Sequence, residues 1–246
     1  MRRLLFFLLL VLAASGSQPA TAQKIIEKTA NLAAGQRLFL NLRQASSIRV
    51  RAGASGKMTL KATVNINQNK LNDALLLTME QSGDELRVAS DFSKEMLRNA
   101  QPGDCPNGGS FYGDTYISSG KHNGNNQHNW PNQVCALIDY EITMPAEAAL
   151  RLSTLSGNID IVGLTGPIEA KSLSGFVDVA WPATKGAELS LKTITGEVYT
   201  DQEIAFTNLR EKNPIVGYQL HGTLSGSGPL VKLESISNDV YFRKRK

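Results

Sequence analysis

With 246 residues, 41% of them hydrophobic and 7% aromatic, the chain has apolar material for one large core or two small ones, which excludes disorder over most of its length. Twenty-one glycines at no three-residue period exclude collagen, and 20% charged residues without sustained heptads exclude a coiled coil. The formal charge of +4 falls to +2, from 24 basic and 22 acidic residues, once Arg2 and Arg3 are set aside, and a near-neutral body argues against a nucleic-acid footprint.

Arg2 and Arg3 give a basic start, residues 4–14 an apolar run, and Ala20-Thr21-Ala22 the small-x-small pattern of a signal-peptidase site. Residues 1–22 are expected to be a signal peptide. An eleven-residue run at 1.5 Å per residue spans about half of a ~30 Å hydrocarbon layer, so a membrane anchor is the weaker alternative. The only two cysteines, Cys105 and Cys135, lie far beyond that run, which argues against a lipid-anchored N-terminus, and no later stretch is long and apolar enough to span as a helix. The predicted location is extracytoplasmic, in the periplasm, at the cell surface or secreted.

Residues 23–92 alternate as strands do: Leu38, Leu40 and Leu42 lie two apart, followed by Ile48 and Val50, then Met58, Leu60, Ala62, Val64 and Ile66. KLNDALLLTM (residues 70–79) fits either period, and Gly83 with the run 86–88 favours a strand closing a hairpin. Residues 93–134 are crowded with Asn, Gly, Asp and Ser and read as a long inserted loop bracketed by Cys105 and Cys135. Two cysteines in an exported chain predict one disulfide, and closing about 31 residues is worth ~3–4 kcal/mol on the chain-entropy argument. His122, His128, Asp104 and Asp114 in this insertion have ligating chemistry, but the histidine spacing matches no zinc pattern, so no metal or other cofactor is expected.

From residue 136 to 246 short strands continue, and a repeat emerges: STLSGNIDI (153–161), KSLSGFVDV (171–179), KTITGEVYT (192–200) and ESISNDVYF (234–242). The centres are Gly157, Gly175, Gly196 and Asn238, at steps of 18, 21 and 42, with Gly217 at the halfway point as a degenerate copy or a bulge in the chain, and Gly166 as the centre of a half-copy. Positions −2, +2 and +4 are apolar with one exception, Thr200, and share parity, so each copy is expected to turn one apolar face inward, with the central residue on it. Glycine there lets the backbone turn sharply, and Asn238 suits a site needing positive φ. One coil cannot bury such a face alone, whereas coils stacked at ~4.8 Å can. The predicted fold is all-β, a β-solenoid with residues 23–246 as one continuous domain; the alternative is an antiparallel β-sandwich. The basic residues 243–246, after the last apolar Phe242, are expected to discourage edge-to-edge addition at the final coil.

These four Ser/Thr-x-Ser/Thr-Gly/Asn copies, the lead-in ITMPAEAALRLSTLSGNIDI (142–161), the closing VKLESISNDVYFRK (231–244) and LNLRQASSIRVRAG (40–53) resemble a bacterial family of adhesin-like β-strand-repeat proteins, a domain of unknown function similar to autotransporter adhesin heads. The resemblance implies an exported β-helical domain with an adhesive or envelope role, and it brings no catalytic residues to transfer. The cysteine-bracketed insertion departs from the family's compact pattern.

No Gly-x-Ser-x-Gly elbow, His-Glu-x-x-His, P-loop or Cys-x-x-Cys is present, and no His stands in register with Ser156 or Ser174, which read as turn residues. Outward position +3 holds Asp160 and Asp178, then Tyr199 and Tyr241 in later copies. The aspartates form an acidic row able to recruit a cation or serve a carbohydrate-degrading β-helix, and the tyrosines a platform for sugar rings. The expected function is non-enzymatic, with an envelope polysaccharide or a surface protein as partner; the alternative is a carbohydrate-binding or carbohydrate-degrading protein acting through Asp160 and Asp178.

Overall fold

The computed structural model describes residues 22–33, 35–53, 56–101, 103–106, 110–111, 133–208 and 217–245. Residues 1–21 of the expected signal peptide, His122, His128, Asp114 and Lys246 lie outside them. Among the described residues no helix is long and apolar enough to cross a membrane.

Alternation dictates strands nearly throughout. The N-terminal part gives β1 (Lys24–Asn31), β2 (Arg37–Leu42), β3 (Ser47–Gly53), β4 (Lys57–Ile66), β5 (Leu75–Ser82) and β6 (Glu85–Phe92). The ambiguous segment before Gly83 divides: Asn72–Ala74 form a 3₁₀ turn, and the strand begins at Leu75 and closes the hairpin with β6. The insertion is not all loop, because Ser93 caps a short helix α1 (Lys94–Leu97) by accepting from Met96 N at 3.3 Å, and Leu97 anchors it in the core. A two-residue ladder of β7 (Ser110–Phe111) with β8 (Gln133–Val134) precedes β9 (Ala136–Pro145). Cys105 and Cys135 form the disulfide, with Cα atoms 5.6 Å apart.

The repeat region supplies β10 (Ala149–Thr154), β11 (Asn158–Val162), β12 (Ile168–Ser172), β13 (Val177–Trp181), β14 (Ala187–Thr193), β15 (Val198–Thr200), β16 (Ile204–Phe206), β17 (Tyr218–Leu224), β18 (Leu230–Ser235) and β19 (Val240–Lys244). The first sheet has the order β1-β4-β9-β3-β11-β13-β19-β15 and the second β16-β17-β14-β18-β12-β10-β2-β6-β5. Each copy of the repeat therefore spends its first half in the second sheet and its second half in the first. The two inner faces share one core.

The fold is thus a sandwich of two open, mixed sheets, not the expected solenoid. In a solenoid, copies stack in chain order; here the fourth copy (β18, β19) lies between the second and the third, pairing parallel with both. The reason lies in the 42-residue step. It contains β16 and β17, which fold back antiparallel on the outer side of β14 and carry the chain past it. Gly217, with φ of 62°, opens this antiparallel strand and is not a copy of the repeat. Residues 243–245 likewise do not guard an edge, because β19 is an interior strand.

Parallel register stacks like on like. Ile48, Ile159, Val177, Val240 and Val198 form one ladder of the first sheet, and Leu38, Leu150, Ile168, Val231 and Leu189 its counterpart in the second. All but Val198 are buried, each worth about 1.5–3 kcal/mol in transfer from water.

The corner between the two half-copies differs from a straight strand. Position −2 points outward, leaving Leu155 41% and Leu173 40% exposed, while position −3 is buried at Thr154, Ser172, Thr193 and Ser235. Each −3 hydroxyl accepts from the N–H of its own central residue: Gly157 at 3.3 Å, Gly175 at 2.9 Å, Gly196 at 3.0 Å and Asn238 at 3.1 Å. Three of them also donate to the central carbonyl of the neighbouring copy, Ser172 to Gly157 and Ser235 to Gly175 at 2.9 Å, Thr193 to Asn238 at 2.8 Å. The side-chain bonds leave two buried backbone groups satisfied at each such corner. Ser172→Ala is expected to cost about 2 kcal/mol by orphaning Gly157 O and Gly175 N, read as a lower urea midpoint at unchanged slope; a midpoint equal to wild type would refute the role.

None of Gly157, Gly166, Gly175, Gly196 or Asn238 has positive φ. The glycines are required by close approach: a Cβ on Gly175 would stand 2.2 Å from Gly157 O, one on Gly196 2.2 Å from Asn238 O, and one on Gly166 2.3 Å from Glu147 O.

Candidate ligand face on the first sheet

The outer face of the first sheet gathers the residues singled out at position +3. Register sets Arg49, Asp160, Asp178, Tyr241 and Tyr199 side by side on β3, β11, β13, β19 and β15. The Tyr199 and Tyr241 rings stack at 5.2 Å with 14° between planes, and Phe176 meets Tyr241 edge-on at 6.0 Å. Tyr199 is 49% exposed. Tyr241 donates its hydroxyl to Asp239 Oδ2 at 3.0 Å, and that bond, helped by burial, raises its phenol above the ordinary value, so it remains a protonated donor at neutral pH.

The repulsion expected between the two aspartates is answered by arginines. Arg51 grips Asp160 with Nη2 at 2.8 Å and Nη1 at 3.3 Å, and Arg243 grips Asp178 with Nε at 2.9 Å and Nη2 on the second oxygen. The Asp178 hydrogen bond raises the Arg243 guanidinium above its usual value, against the opposing effect of burial. These two-pronged pairs occupy the oxygens that an acid and base would need. Asp239 and Glu197 lie beside the tyrosine pair, with Glu197 N donating to Asp239 Oδ1 at 2.8 Å and Tyr218 Oη donating to Glu197 Oε2 at 3.1 Å. The face therefore combines an exposed tyrosine, stacked on a half-buried one, with carboxylates and guanidinium groups, a composition suited to polyhydroxylated ligands.

Phe176, Arg51, Arg243, Asp239 and Glu197 are additions made by the structure. The outward parity of Arg51 was readable from Val50, but its place beside Asp160, 109 residues on, was not.

The base of the insertion is a second polar cluster. Asn67, Gln68 and Asn69 form a left-handed turn with φ of 49°, 56° and 70°, and Asn67 Oδ1 accepts from Cys135 N at 3.0 Å. Burial opposes ionisation of Asp104, but Lys70 Nζ at 2.6 Å and Gln101 N at 2.9 Å, with Asn67, hold its carboxyl below the ordinary range. Asp104 is thus engaged in fixing this base. No cluster of three metal-ligating side chains occurs among the described residues.

No protein-family model matches the chain, and no curated protein matches it in sequence. Among solved structures, a proposed cell adhesion protein from Clostridium sporogenes is similar at a TM-score of 0.51 and 12% identity, over 91% of this chain and 100% of that one. A proposed adhesin from Bacteroides fragilis aligns at 0.30 and 10% identity, over 91% and 98%. At that identity the first likeness is one of fold alone.

Proposed function

We propose that the chain is an exported, non-enzymatic, adhesin-like module of the bacterial envelope that holds an envelope polysaccharide against the tyrosine end of the first sheet. The observation that carries this reading is the exposed Tyr199 stacked on the half-buried Tyr241 and flanked by Phe176, Asp239 and Glu197. Export is supported by the basic start and apolar run, and by a disulfide, which persists where thiols are not kept reduced. The adhesive role is supported by the name given to the Clostridium sporogenes protein and by the repeat's resemblance to adhesin-like proteins.

The test is an array of bacterial and host glycans probed with residues 23–246, following retention and product release together. Retention without product is expected. Tyr199→Ala and Tyr241→Ala should each weaken it roughly tenfold, the equivalent of ~1.4 kcal/mol for one lost ring contact. Retention unchanged by both substitutions overturns the site, and shortened glycans in solution would replace binding by catalysis and direct attention to Asp160 and Asp178.

A further inference from the structure

We propose that the arm formed by residues 230–245 is exchangeable between copies of this chain, so that one copy's β18 and β19 complete the sheets of another. The arm lies last in the order of strands yet occupies an interior place in both sheets, with β18 between β12 and β14 and β19 between β13 and β15. Without it, β14 to β17 have no ladder to the second copy, and each sheet has a slot one strand wide.

That slot is specific for this arm. Val231, Leu233, Val240 and Phe242 are fully buried, and the Phe242 ring packs 6.4 Å from Trp181. Outside the core, Glu234 meets Lys171 at 3.1 Å and Lys192 at 3.6 Å, Lys232 meets Glu169 at 3.1 Å, and Arg243 binds Asp178. Ser235 adds the corner bond to Gly175 O. The arm of a second copy brings every one of these contacts unchanged.

The connection to the arm is built to open. Residues 225–228 are exposed and carry the chain across the start of β14, from the partner strand on one side of it to the partner strand on the other. The crossing requires Ser225 at φ of 50° and Gly226 at 93°. An extended connection needs neither, and residues 225–229 then reach up to about 17 Å. Because the buried contacts are identical in the closed and exchanged forms, the conformation of the connection and the chain concentration set the balance. Reciprocal exchange gives a closed dimer; sequential exchange gives a chain of copies that multiplies whatever face each one displays.

Native ion pairs report the exchange directly. Chains of residues 23–246 labelled with ¹⁴N and ¹⁵N are mixed, unfolded with the disulfide intact, and refolded at high concentration. A carbodiimide then joins Lys171 or Lys192 to Glu234. The expected result is a dimer or larger species in which about half of these cross-linked peptides pair one ¹⁴N with one ¹⁵N partner, and a monomer in which none do. Ser225→Val, which opposes a φ of 50° but suits an extended connection, should raise the share of chains in the dimer or larger species several-fold. Single-isotope cross-links in every species, or a monomer at all concentrations, overturn the proposal. None of these readouts involves glycan binding, so they stand or fall separately from the ligand face.

Discussion

Gly175→Ala is expected to lower the unfolding free energy by about 3–4 kcal/mol, more than an ordinary overpacked core position. The added methyl would meet three backbone atoms of the neighbouring copy, Gly157 O at 2.2 Å, Gly157 C at 2.5 Å and Asn158 N at 2.8 Å, and none of these can rotate away. The two copies must separate at the corner. Separation also breaks the bond from Ser172 Oγ to Gly157 O, so the loss includes the roughly 1–3 kcal/mol of an unsatisfied buried acceptor. Gly35 supplies the internal comparison. It has φ of 84° and open space around its Cβ position, so Gly35→Ala should cost only about 1 kcal/mol of backbone strain. Equilibrium unfolding in urea separates the two, and equal losses would mean that the corner glycines serve conformation and not proximity.

Cys105→Ser combined with Cys135→Ser is expected to destabilise the chain by about 3–4 kcal/mol, from the entropy regained by an unfolded loop with ends 30 residues apart. The loss should not stay local. Cys135 stands next to β9, which pairs with β3 and β4 in the first sheet, and its N–H is held by the buried Asn67 side chain at the end of β4. Asp104, next to Cys105, ties the other side of the loop to Lys70 and Gln101. Thermal unfolding of the oxidised protein and of the double serine variant measures the difference. A variant within 1 kcal/mol of wild type would show that this polar base closes the insertion without the covalent link.

The strands were readable because alternation survives in nearly every segment: Leu38, Leu40 and Leu42, or Met58 through Ile66, leave no other period to choose. The half-copy around Gly166 was readable too, since Ile168 and Ala170 at +2 and +4 are buried, although Leu164 at −2 is buried with them, unlike its counterparts in the full copies. The corner was not. Leu155, Leu173, Ile194 and Ile236 are apolar at position −2, so parity runs straight through the glycine on paper, whereas the chain changes sheets there and turns these side chains outward. The signal that marks the change is the hydroxyl at −3 in every copy, whose partners are backbone groups that composition cannot display.

Stacking order was hidden for a different reason. Spacing says that the copies are alike, and like copies can pair in any order; what places the fourth between the second and third is the excursion through β16 and β17. The +3 residues came together because parity alone determines their face. Their counter-ions did not, because Arg51 lies 109 residues from Asp160 and Arg243 lies 65 from Asp178. An isolated acidic pair read from sequence was half of a four-residue arrangement.

Strand direction in the first sheet has a mechanical meaning. β1 is antiparallel to β4 and β4 to β9, while β9, β3, β11, β13 and β19 run parallel, so β1 and β19 point the same way. A pull between the start of β1 and the end of β19 therefore loads both strands along their axes, in shear. The paired positions are equal in number, eight on β1 against five and three on the two sides of β19, but no residue of β1 is buried, whereas Val240 and Phe242 anchor β19 in the core. Under tension the sandwich yields at β1 first, and its repeat core and ligand face remain assembled while that strand gives way.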